Sequence, residues 1–398
     1  MKTKNNFRSV FIFPIFFGVI FVVCDVFVVD LISNDGRGGT AIAENNKTEK
    51  NINKSENKSI VNSSNSNSVN NSVVTEVKGK GKDPKNDSEI KADKIKLVVE
   101  SDRAWLFIYF IDKGHDGLFY AWSNDGLVWQ QIRGGKPILQ PEVGGEVKDR
   151  LMRAPSVCRS LDGVYHMVWT VGRKSRSIGY ASSRDMINWS KQRLIPVMEH
   201  EKRSRNTWDP NLFYNDNNKL FYIIWASTVQ GSFNETAGSG EDDFNNRLYY
   251  TTTVDFVKFT KTELYWNPNH NVIDPLLVEN KDAEASKRYL LFYKDETLKP
   301  APKKYLLLAT GTSPTGPFTV QKIVSHTDWV QGPSILRING DWYLYYNCYG
   351  KRHFGAVRSN DLNNWTNITD KLCFPTNARQ GTIIEIDKEI LKKLKELK

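Results

Sequence analysis

AWSNDGLVW, at residues 121–129, ends a unit that recurs along the chain. Each copy combines a small-residue strand, a turn with Ser or Thr near Asp, and a closing aromatic residue. The other copies are ASSRDMINW (181–189), TTTVDFVKF (251–259), a looser ATGTSPTGPF (309–318) and AVRSNDLNNW (356–365). Five units at intervals of about 45 to 70 residues predict a five-bladed β-propeller. A β-sandwich with chance turn similarity is the alternative, but it does not explain the same strand order five times.

Near-continuous apolar runs lie inside these units and predict the central strands of the blades, buried on both faces. They are YHMVW (165–169), LFYIIW (220–225), YLLFY (289–293) and WYLYY (342–346). No amphipathic helix is indicated before the last dozen residues. The predicted fold class is therefore all-β, with a propeller over residues 98–386 and a short charged helix over residues 387–398.

The region before the propeller has a different composition. No aromatic residue lies between Phe27 and Trp105, so this stretch cannot build a core. Residues 34–97 are rich in Asn, Ser and Lys and are predicted to be a disordered stalk. Six Asn-x-Ser/Thr triplets suit a glycosylated lumenal segment, although an Asn/Ser-rich tract also produces them by chance. They begin at Asn46, Asn53, Asn57, Asn62, Asn70 and Asn86.

Residues 1–33 are predicted to be a cytoplasmic tail and signal anchor. Lys2, Lys4 and Arg8 precede an apolar run that extends, with an interruption at Asp25, to Val29. The small-residue motif at 41–43 leaves a cleaved signal peptide as the alternative, because it lies well beyond the run. The prediction is a single-pass type II membrane protein with its propeller in the lumen or outside the cell, or else a secreted protein.

Charge and cysteine content exclude several classes of function. The formal net charge is +10, but no dense basic run is interleaved with aromatics, which argues against a nucleic-acid partner. Cys24 lies in the leader, and Cys158, Cys348 and Cys373 show no CxxC spacing. Neither a zinc site nor a disulfide framework is indicated.

Four later blades open with a residue followed by proline. These steps are Ala154-Pro155, Asp209-Pro210, Asp274-Pro275 and Gly332-Pro333. Each step begins the strand predicted to lie innermost in its blade. Because innermost strands converge on the axis of a propeller, residues at these openings are predicted to line one shared pocket.

From Trp105 to Ile384 the sequence resembles glycoside hydrolase family 43, which comprises inverting five-bladed arabinosidases, xylosidases and galactosidases. The motifs that carry the resemblance occur in the order and spacing of one subgroup of that family. They are LMRAPS (151–156), IGYASS (178–183), LIPVM (194–198), RLYYTTT (247–253), VID (272–274), KDET (294–297), WVQGP (329–333) and GAVRS (355–359).

The resemblance implies three catalytic carboxyl groups: an Asp base, an Asp that tunes the pKa of the acid, and a Glu acid. The tuning residue is present as Asp274, whereas Ala154 stands at the base position and Gln331 at the acid position. A methyl group accepts no proton, and a carboxamide has no dissociable proton at working pH. The resemblance therefore implies a catalytically degenerate glycosidase scaffold.

Two further departures affect the same pocket. The subgroup reads Trp-Ala-Pro-Glu where this chain has Trp208-Asp209-Pro210-Asn211, so an Asp has moved to the neighbouring blade. It reads Arg-His-Gly-Thr where this chain has Gln380, which argues against an axial calcium or sodium ion. No other cofactor is implied.

The altered pocket retains groups that suit sugar hydroxyls and sugar rings. The hydrogen-bonding candidates are Arg153, Asp209, Asn211, Asp274, Gln331 and Gln380, and the aromatic candidates are Trp208, Trp329 and Trp225. Three functions remain open. The first is binding of arabinose-, xylose- or galactose-containing glycans without hydrolysis. The second is an active inverting exo-glycosidase using Asp274 and a relocated Asp209, and the third is a propeller that binds protein.

Overall fold

Twenty β-strands form the framework of residues 103–398, which are the residues that the computed structural model describes. The predicted anchor at 1–33, the predicted stalk at 34–97 and the first residues of the predicted propeller, 98–102, lie outside them. In chain order the strands are β1 (Arg103–Ile111), β2 (Phe119–Ser123), β3 (Gln130–Gln131), β4 (Arg153–Arg159), β5 (Tyr165–Thr170), β6 (Ile178–Ser183), β7 (Arg193–Ile195), β8 (Trp208–Asn215), β9 (Leu220–Ser227), β10 (Arg247–Thr253), β11 (Glu263–Trp266), β12 (Val272–Glu279), β13 (Tyr289–Asp295), β14 (Leu306–Gly311), β15 (Phe318–Ile323), β16 (Gln331–Ile338), β17 (Asp341–Cys348), β18 (His353–Ser359), β19 (Thr366–Asn367) and β20 (Ala378–Asp387).

Helices are few in this part of the chain. One α-helix, α1 (Lys388–Lys395), follows β20 and buries Leu391 and Leu394. The short 3-10 helices span Arg133–Gly135, Val147–Asp149, Asn234–Thr236, Glu241–Asp243, Ala285–Lys287 and Thr369–Lys371. No helix among residues 103–398 is both long and apolar enough to cross a membrane.

The strands form five four-stranded antiparallel sheets, which are the blades of a propeller. Four blades follow chain order: β4 to β7, β8 to β11, β12 to β15 and β16 to β19. The remaining blade has the order β20-β1-β2-β3, so a strand from the end of the chain pairs with the first described strand. Strands β4, β8, β12, β16 and β20 line the central cavity and are innermost. The prediction of an all-β five-bladed propeller is confirmed.

The second strand of each blade supplies much of the core. Trp169, Trp225, Tyr293 and Tyr345 are all fully buried on these strands. They contribute to the clusters of apolar side chains within and between blades, and aromatic rings of this size dominate core energetics. The apolar runs in the sequence thus became strands covered on both faces.

The repeated turn joins the third and fourth strands of a blade. The hydroxyl of Ser123 accepts a hydrogen bond from the backbone N–H of Gly126 at 2.9 Å. Oδ1 of Asp125 accepts from the backbone N–H groups of Leu127 and Val128. Three other turns repeat this geometry, at residues 183–188, 253–258 and 359–364. The looser copy differs, because the Ser313 hydroxyl donates to the carbonyl of Gly316 instead. Side chains that satisfy turn backbone explain why this motif marks each blade.

Candidate active site

A β-bulge opens four of the five innermost strands. The bulged residues Ala154, Asp209, Asp274 and Gly332 have φ between 46° and 62°, and the strand register shifts beside each of them. A left-handed conformation costs a non-glycine residue roughly 1 kcal/mol, so its recurrence at equivalent positions marks a designed feature. Each bulge turns its residue toward the axis.

Gly332 is the one bulge residue that must be glycine. A Cβ atom at this position would lie 2.0 Å from Cβ of Gln380, which belongs to the neighbouring strand β20. The close approach lets the side chain of Gln380 occupy the centre of the ring.

Two cavities meet at this ring. One, of about 210 Å³, runs along the axis and is lined by the bulge residues and those that follow them. The other, of about 150 Å³, is lined by residues that include Arg153, Trp208 and Gln331, each just before a bulge residue. We call the first cavity the axial cavity and the second the axial pocket. Asp209 and Gln380 line both cavities, so they form the layer between them.

Asp209, Asp274 and Gln380 form one hydrogen-bonded group in this layer. Nε2 of Gln380 donates to Oδ1 of Asp209 at 3.1 Å and to Oδ1 of Asp274 at 3.0 Å. The two carboxyl groups also contact each other within hydrogen-bonding range. The backbone N–H of Gly332 donates to Oδ2 of Asp274 at 3.0 Å. Three strands are therefore joined through two acidic side chains.

The two carboxyl groups differ in how strongly their pKa is raised. Burial, followed by the neighbouring charge of Asp274, raises the pKa of Asp209 well above its usual range. Burial also raises the pKa of Asp274, but the buried ammonium group of Lys294 and the N–H of Gly332 oppose that rise. Of the two, Asp209 is therefore the one that holds a proton more readily, as expected when two carboxyl groups share one site.

This layer does not fit a calcium ion. Calcium takes six to eight oxygen ligands, typically from several carboxylates and carbonyls. Here the pKa of Asp209 is raised well above its usual range, and the amide nitrogen of Gln380 is directed at both acids. Within residues 103–398 there is no group of three or more His, Cys, Asp or Glu side chains able to hold a metal ion. The buried Oε1 of Gln380 has no hydrogen-bond partner among the described residues.

Side chains on the innermost strands also accept backbone N–H groups of adjacent blades. The donor and acceptor pairs are Leu212 to Ser156 at 2.9 Å, Leu277 to Asn211 at 3.0 Å, Ile383 to Ser334 at 2.9 Å and Val157 to Thr382 at 3.2 Å. The equivalent residue on β12 is Leu276, which has no acceptor. Between β12 and β16 the link is instead the Gly332 to Asp274 bond, so the acidic pair completes the ring of inter-blade bonds.

An aromatic wall stands on one side of the axial pocket. The ring of Trp208 packs against Phe244 with centroids 4.3 Å apart, and its Nε1 donates to the carbonyl of Arg173 at 2.9 Å. These contacts fix the orientation of the indole. Thr170, Asn246 and Asn271 add polar atoms to the same pocket. The wall thus combines a rigid aromatic face with hydrogen-bonding groups, an arrangement typical of small-ligand sites.

Sequence reasoning assigned no role to Glu296, which also lines the axial pocket. Its carboxylate lies 2.6 Å from Nζ of Lys294 and 2.5 Å from Nζ of Lys304, and both ammonium groups are buried. Lys294 also lies over the ring of Tyr349 at 4.7 Å. The charged KDET motif (294–297) directly after an apolar strand could have indicated the role of Glu296, because a lysine buried at a strand end requires a charged partner.

The structure brings together most of the predicted site residues, but not all of them. Ala154 lines the axial cavity, while Arg153, Trp208, Gln331 and Gln380 line the axial pocket. Asn211 lines the axial cavity instead, with its amide bonded to Leu277 and Ser156. Trp329 lies outside both cavities, is 41% exposed and contacts Tyr349. Trp225 is fully buried in the core.

Comparisons with known proteins give a family match and several similar structures. A family model described as a probable glycosyl hydrolase domain, related to glycoside hydrolase family 43, matches residues 100–391. No curated protein matches the sequence.

The similar solved structures share little sequence with this chain. An α-L-arabinofuranosidase from Lactobacillus brevis is 17% identical, over 54% of this chain and 72% of that chain, with a TM-score of 0.41. A native arabinanase from Bacillus subtilis is 16% identical, over 54% and 74%, with a TM-score of 0.39. A GH43_1 enzyme from Xanthomonas citri, complexed with xylose, is 12% identical, over 58% and 75%, with a TM-score of 0.43. At these identities none of them assigns a substrate or a site residue.

Proposed function

Because this chain belongs to the family of probable glycosyl hydrolase domains related to glycoside hydrolase family 43, we propose that its axial pocket binds a carbohydrate without hydrolysing it by the inverting route. The observation that carries the proposal is the pair Ala154 and Gln331. These residues line the two cavities at the positions where the resemblance places base and acid. Neither side chain transfers a proton at working pH.

The acidic pair does not replace the missing groups. Inverting hydrolysis needs two carboxyl groups about 6.5 to 9.5 Å apart, so that a water molecule fits between the base and the sugar. Asp209 and Asp274 lie within hydrogen-bonding range of each other, which leaves no room for that water. Their role in this proposal is to hold the pocket floor and to offer oxygen atoms to a ligand.

Glu296 and Glu241 are the other carboxylates at the axial pocket. Glu296 is ion-paired with the two buried ammonium groups of Lys294 and Lys304, which occupy its carboxylate oxygens. Glu241 is exposed at the pocket edge, where water solvates it. Neither residue occupies an innermost strand.

The pocket offers what sugar recognition requires. Trp208 and Phe244 present a fixed aromatic surface, and Arg153, Gln331 and Gln380 provide donors and acceptors for hydroxyl groups. A volume of about 150 Å³ is below the roughly 300 Å³ at which pockets for drug-sized ligands begin. We therefore assign it to one terminal sugar unit of an arabinose-, xylose- or galactose-containing glycan.

From the sequence of the leader we also propose that the propeller faces the lumen or the cell exterior on a type II anchor. Glycans are abundant on that side of a membrane. Fractionation of the full chain with carbonate extraction would test the anchor, because a secreted form would appear in the soluble fraction.

The proposal is tested by titrating the full-length protein with a panel of arabinosides, xylosides and galactosides, measuring binding and sugar release in the same samples. We expect binding without release. Trp208→Ala should weaken binding by about tenfold or more through loss of the aromatic face. Trp329→Ala is the matched control, because Trp329 lies outside both cavities.

A second variant, Ala154→Asp with Gln331→Glu, should gain release if the scaffold has only lost its proton-transfer groups. Sugar release by the native protein that disappears in Asp209→Asn would instead establish an active enzyme with a relocated carboxyl group. If no sugar binds to the native protein, and both the native protein and Trp208→Ala bind the same protein partner, the protein-binding alternative would be favoured.

A further inference from the structure

Three arginines lie close together, and one of them, Arg153, lines the axial pocket. Arg153 and Arg379 stand just before Ala154 and Gln380, at equivalent positions on the neighbouring innermost strands β4 and β20. Arg352 lies in the turn between β17 and β18. Arg352 and Arg379 line one cleft of about 370 Å³. We call these three residues the arginine cluster.

Among the described residues, the arginine cluster has no carboxylate or carbonyl partner of the kind that the other arginines have. Every other arginine whose side chain the structure describes donates to a carboxylate or to a backbone carbonyl. Those residues are Arg133, Arg150, Arg159, Arg173, Arg176, Arg184, Arg193, Arg203, Arg205, Arg247, Arg288, Arg337 and Arg358. Within residues 103–398, Arg379 has only a 3.5 Å contact to Oδ1 of Asn347, and Arg153 lies over the Phe110 ring at 5.5 Å.

The members of the cluster repel one another. Burial, followed by the charges of Arg352 and Arg153, lowers the pKa of Arg379, and Asp112 opposes this only in part. The cleft is lined by three cationic side chains, Arg352, Arg379 and Lys113, and by the carboxylates of Asp112 and Asp116, with His115 beside them. Cations outnumber carboxylates at this mouth, so the free protein carries an electrostatic cost that an anion would relieve.

The wall of the cleft is fixed in place. The backbone N–H of Met152 donates to the carbonyl of Gly114 at 2.8 Å, and Nδ1 of His115 lies 3.1 Å from the carbonyl of Arg150. A Cβ atom on Gly114 would lie 2.6 Å from Cγ of Arg153, so this loop packs directly on the arginine stem. The cleft therefore exists before any ligand arrives, and binding needs little reordering.

We infer that the arginine cluster binds the oxyanion substituent of an acidic glycan whose adjoining sugar ring occupies the axial pocket. This inference rests on the proposed function and adds the class of ligand to it. Guanidinium groups present planar pairs of N–H donors that match carboxylate and sulfate oxygens. A neutral sugar would leave all three guanidinium groups without an ion-pair partner among the described residues. Arg153 lines the axial pocket and its charge acts on Arg379, which lines the cleft, so the cluster connects the two sites.

The test compares three ligands built on one oligosaccharide of xylose: the neutral form, a form bearing one glucuronic acid, and a form bearing one sulfate. Calorimetric titration of the full-length protein at low and high salt gives each affinity. We expect at least one acidic form to bind about tenfold or more tightly than the neutral form, with the difference shrinking at high salt. Whichever acidic form binds better identifies carboxylate or sulfate as the natural substituent.

The variants separate this inference from the proposed function. Arg352→Gln, alone and with Arg379→Gln, should abolish the preference for acidic ligands and leave neutral-sugar binding unchanged. Arg184→Gln, which alters an exposed arginine bonded to a carbonyl of the turn at Asp162, is the matched control. Equal affinity for neutral and acidic forms would overturn the inference and leave sugar binding standing. Acidic binding that Trp208→Ala does not weaken would overturn the link between cleft and pocket.

Discussion

Replacing Asp209 by Asn should make the propeller more stable at neutral pH. In the native layer Asp209 must hold a proton to bond to Asp274, whereas an Asn at that position would donate from Nδ2 without titrating. Its oxygen would still accept from Nε2 of Gln380, which now lies 3.1 Å from Oδ1 of Asp209. Asn also tolerates the left-handed conformation at this bulge, where φ is 50°.

The direction of the pH dependence follows from the pKa of Asp209. Burial and Asp274 raise this pKa above the unfolded value, so the folded state holds its proton more tightly. The stabilising contribution is complete below the unfolded pKa, near 4, and is lost as pH rises toward the folded pKa. The benefit of Asp209→Asn should therefore be absent at about pH 3 and grow with pH above that.

The magnitude follows from one proton. A single coupled proton changes the free energy of unfolding by about 1.4 kcal/mol per pH unit between the two pKa values. For a domain of this size, 1 kcal/mol shifts the Tm by about 2 to 4 °C. The Tm of Asp209→Asn should thus rise relative to the native protein by about 3 to 5 °C per pH unit within that interval.

Thermal melts of the native protein and variants from pH 3 to pH 8 measure this effect. Asp209→Ala should lower the Tm throughout, because it removes hydrogen bonds to two buried partners at a cost of about 1 to 3 kcal/mol. Asp361→Asn is a control with the opposite pH dependence. Backbone N–H groups of Asn364 and Asn363 lower the pKa of the Asp361 carboxylate, so its stabilising contribution is lost as pH falls. An Asp209→Asn protein that is less stable than the native one at pH 7 would refute the shared proton.

Two further predictions concern groups next to the layer. Gly332→Ala should destabilise the propeller by about 2 kcal/mol or more and weaken sugar binding, because its Cβ would lie 2.0 Å from Gln380 and φ is positive. Gly350→Ala, which meets nothing within 4 Å, should leave the Tm and the affinity nearly unchanged. Glu296→Gln should cost about 3 to 5 kcal/mol in a denaturant titration, since the buried ammonium group of Lys294 loses its charge partner. An unchanged midpoint would mean that water reaches Lys294.

The sequence predicted those features that depend on local contacts. Ser359 and Asp361 accept hydrogen bonds from backbone N–H groups within five residues. The turn that ends each blade is therefore recognisable from a short continuous stretch of sequence. The openings at Ala154 and Gly332 were also found, because proline marks the strand start and the propeller geometry brings those starts to one axis. The number of blades and the position of the pocket followed from these two signals.

Features that depend on contacts between distant segments were not predictable in this way. The sharing of a proton by Asp209 and Asp274 depends on the burial of two strands from different blades. Arg352 and Arg379 are far from Arg153 in the chain, so their clustering required the closed ring. Trp329 stands just before the axial motif at Gln331, but its side chain lies outside both cavities and is exposed. Its backbone is left-handed, with φ of 57°, which the sequence did not indicate.

The position of β20 links synthesis of the chain to its ability to bind a ligand. This strand is made after the other nineteen described strands, yet it is innermost in its blade, pairs with β1 and carries Gln380 to the axis. Until it leaves the ribosome, one edge of β1 has unpaired backbone groups and the acidic pair lacks its amide bridge. A chain that terminated before β20 would therefore expose the edge of β1, which chaperones and proteases could recognise. It would also lack the Gln380 side chain that bridges the acidic pair at the axis. Only molecules that have passed the last step of folding would present a complete pocket to a sugar.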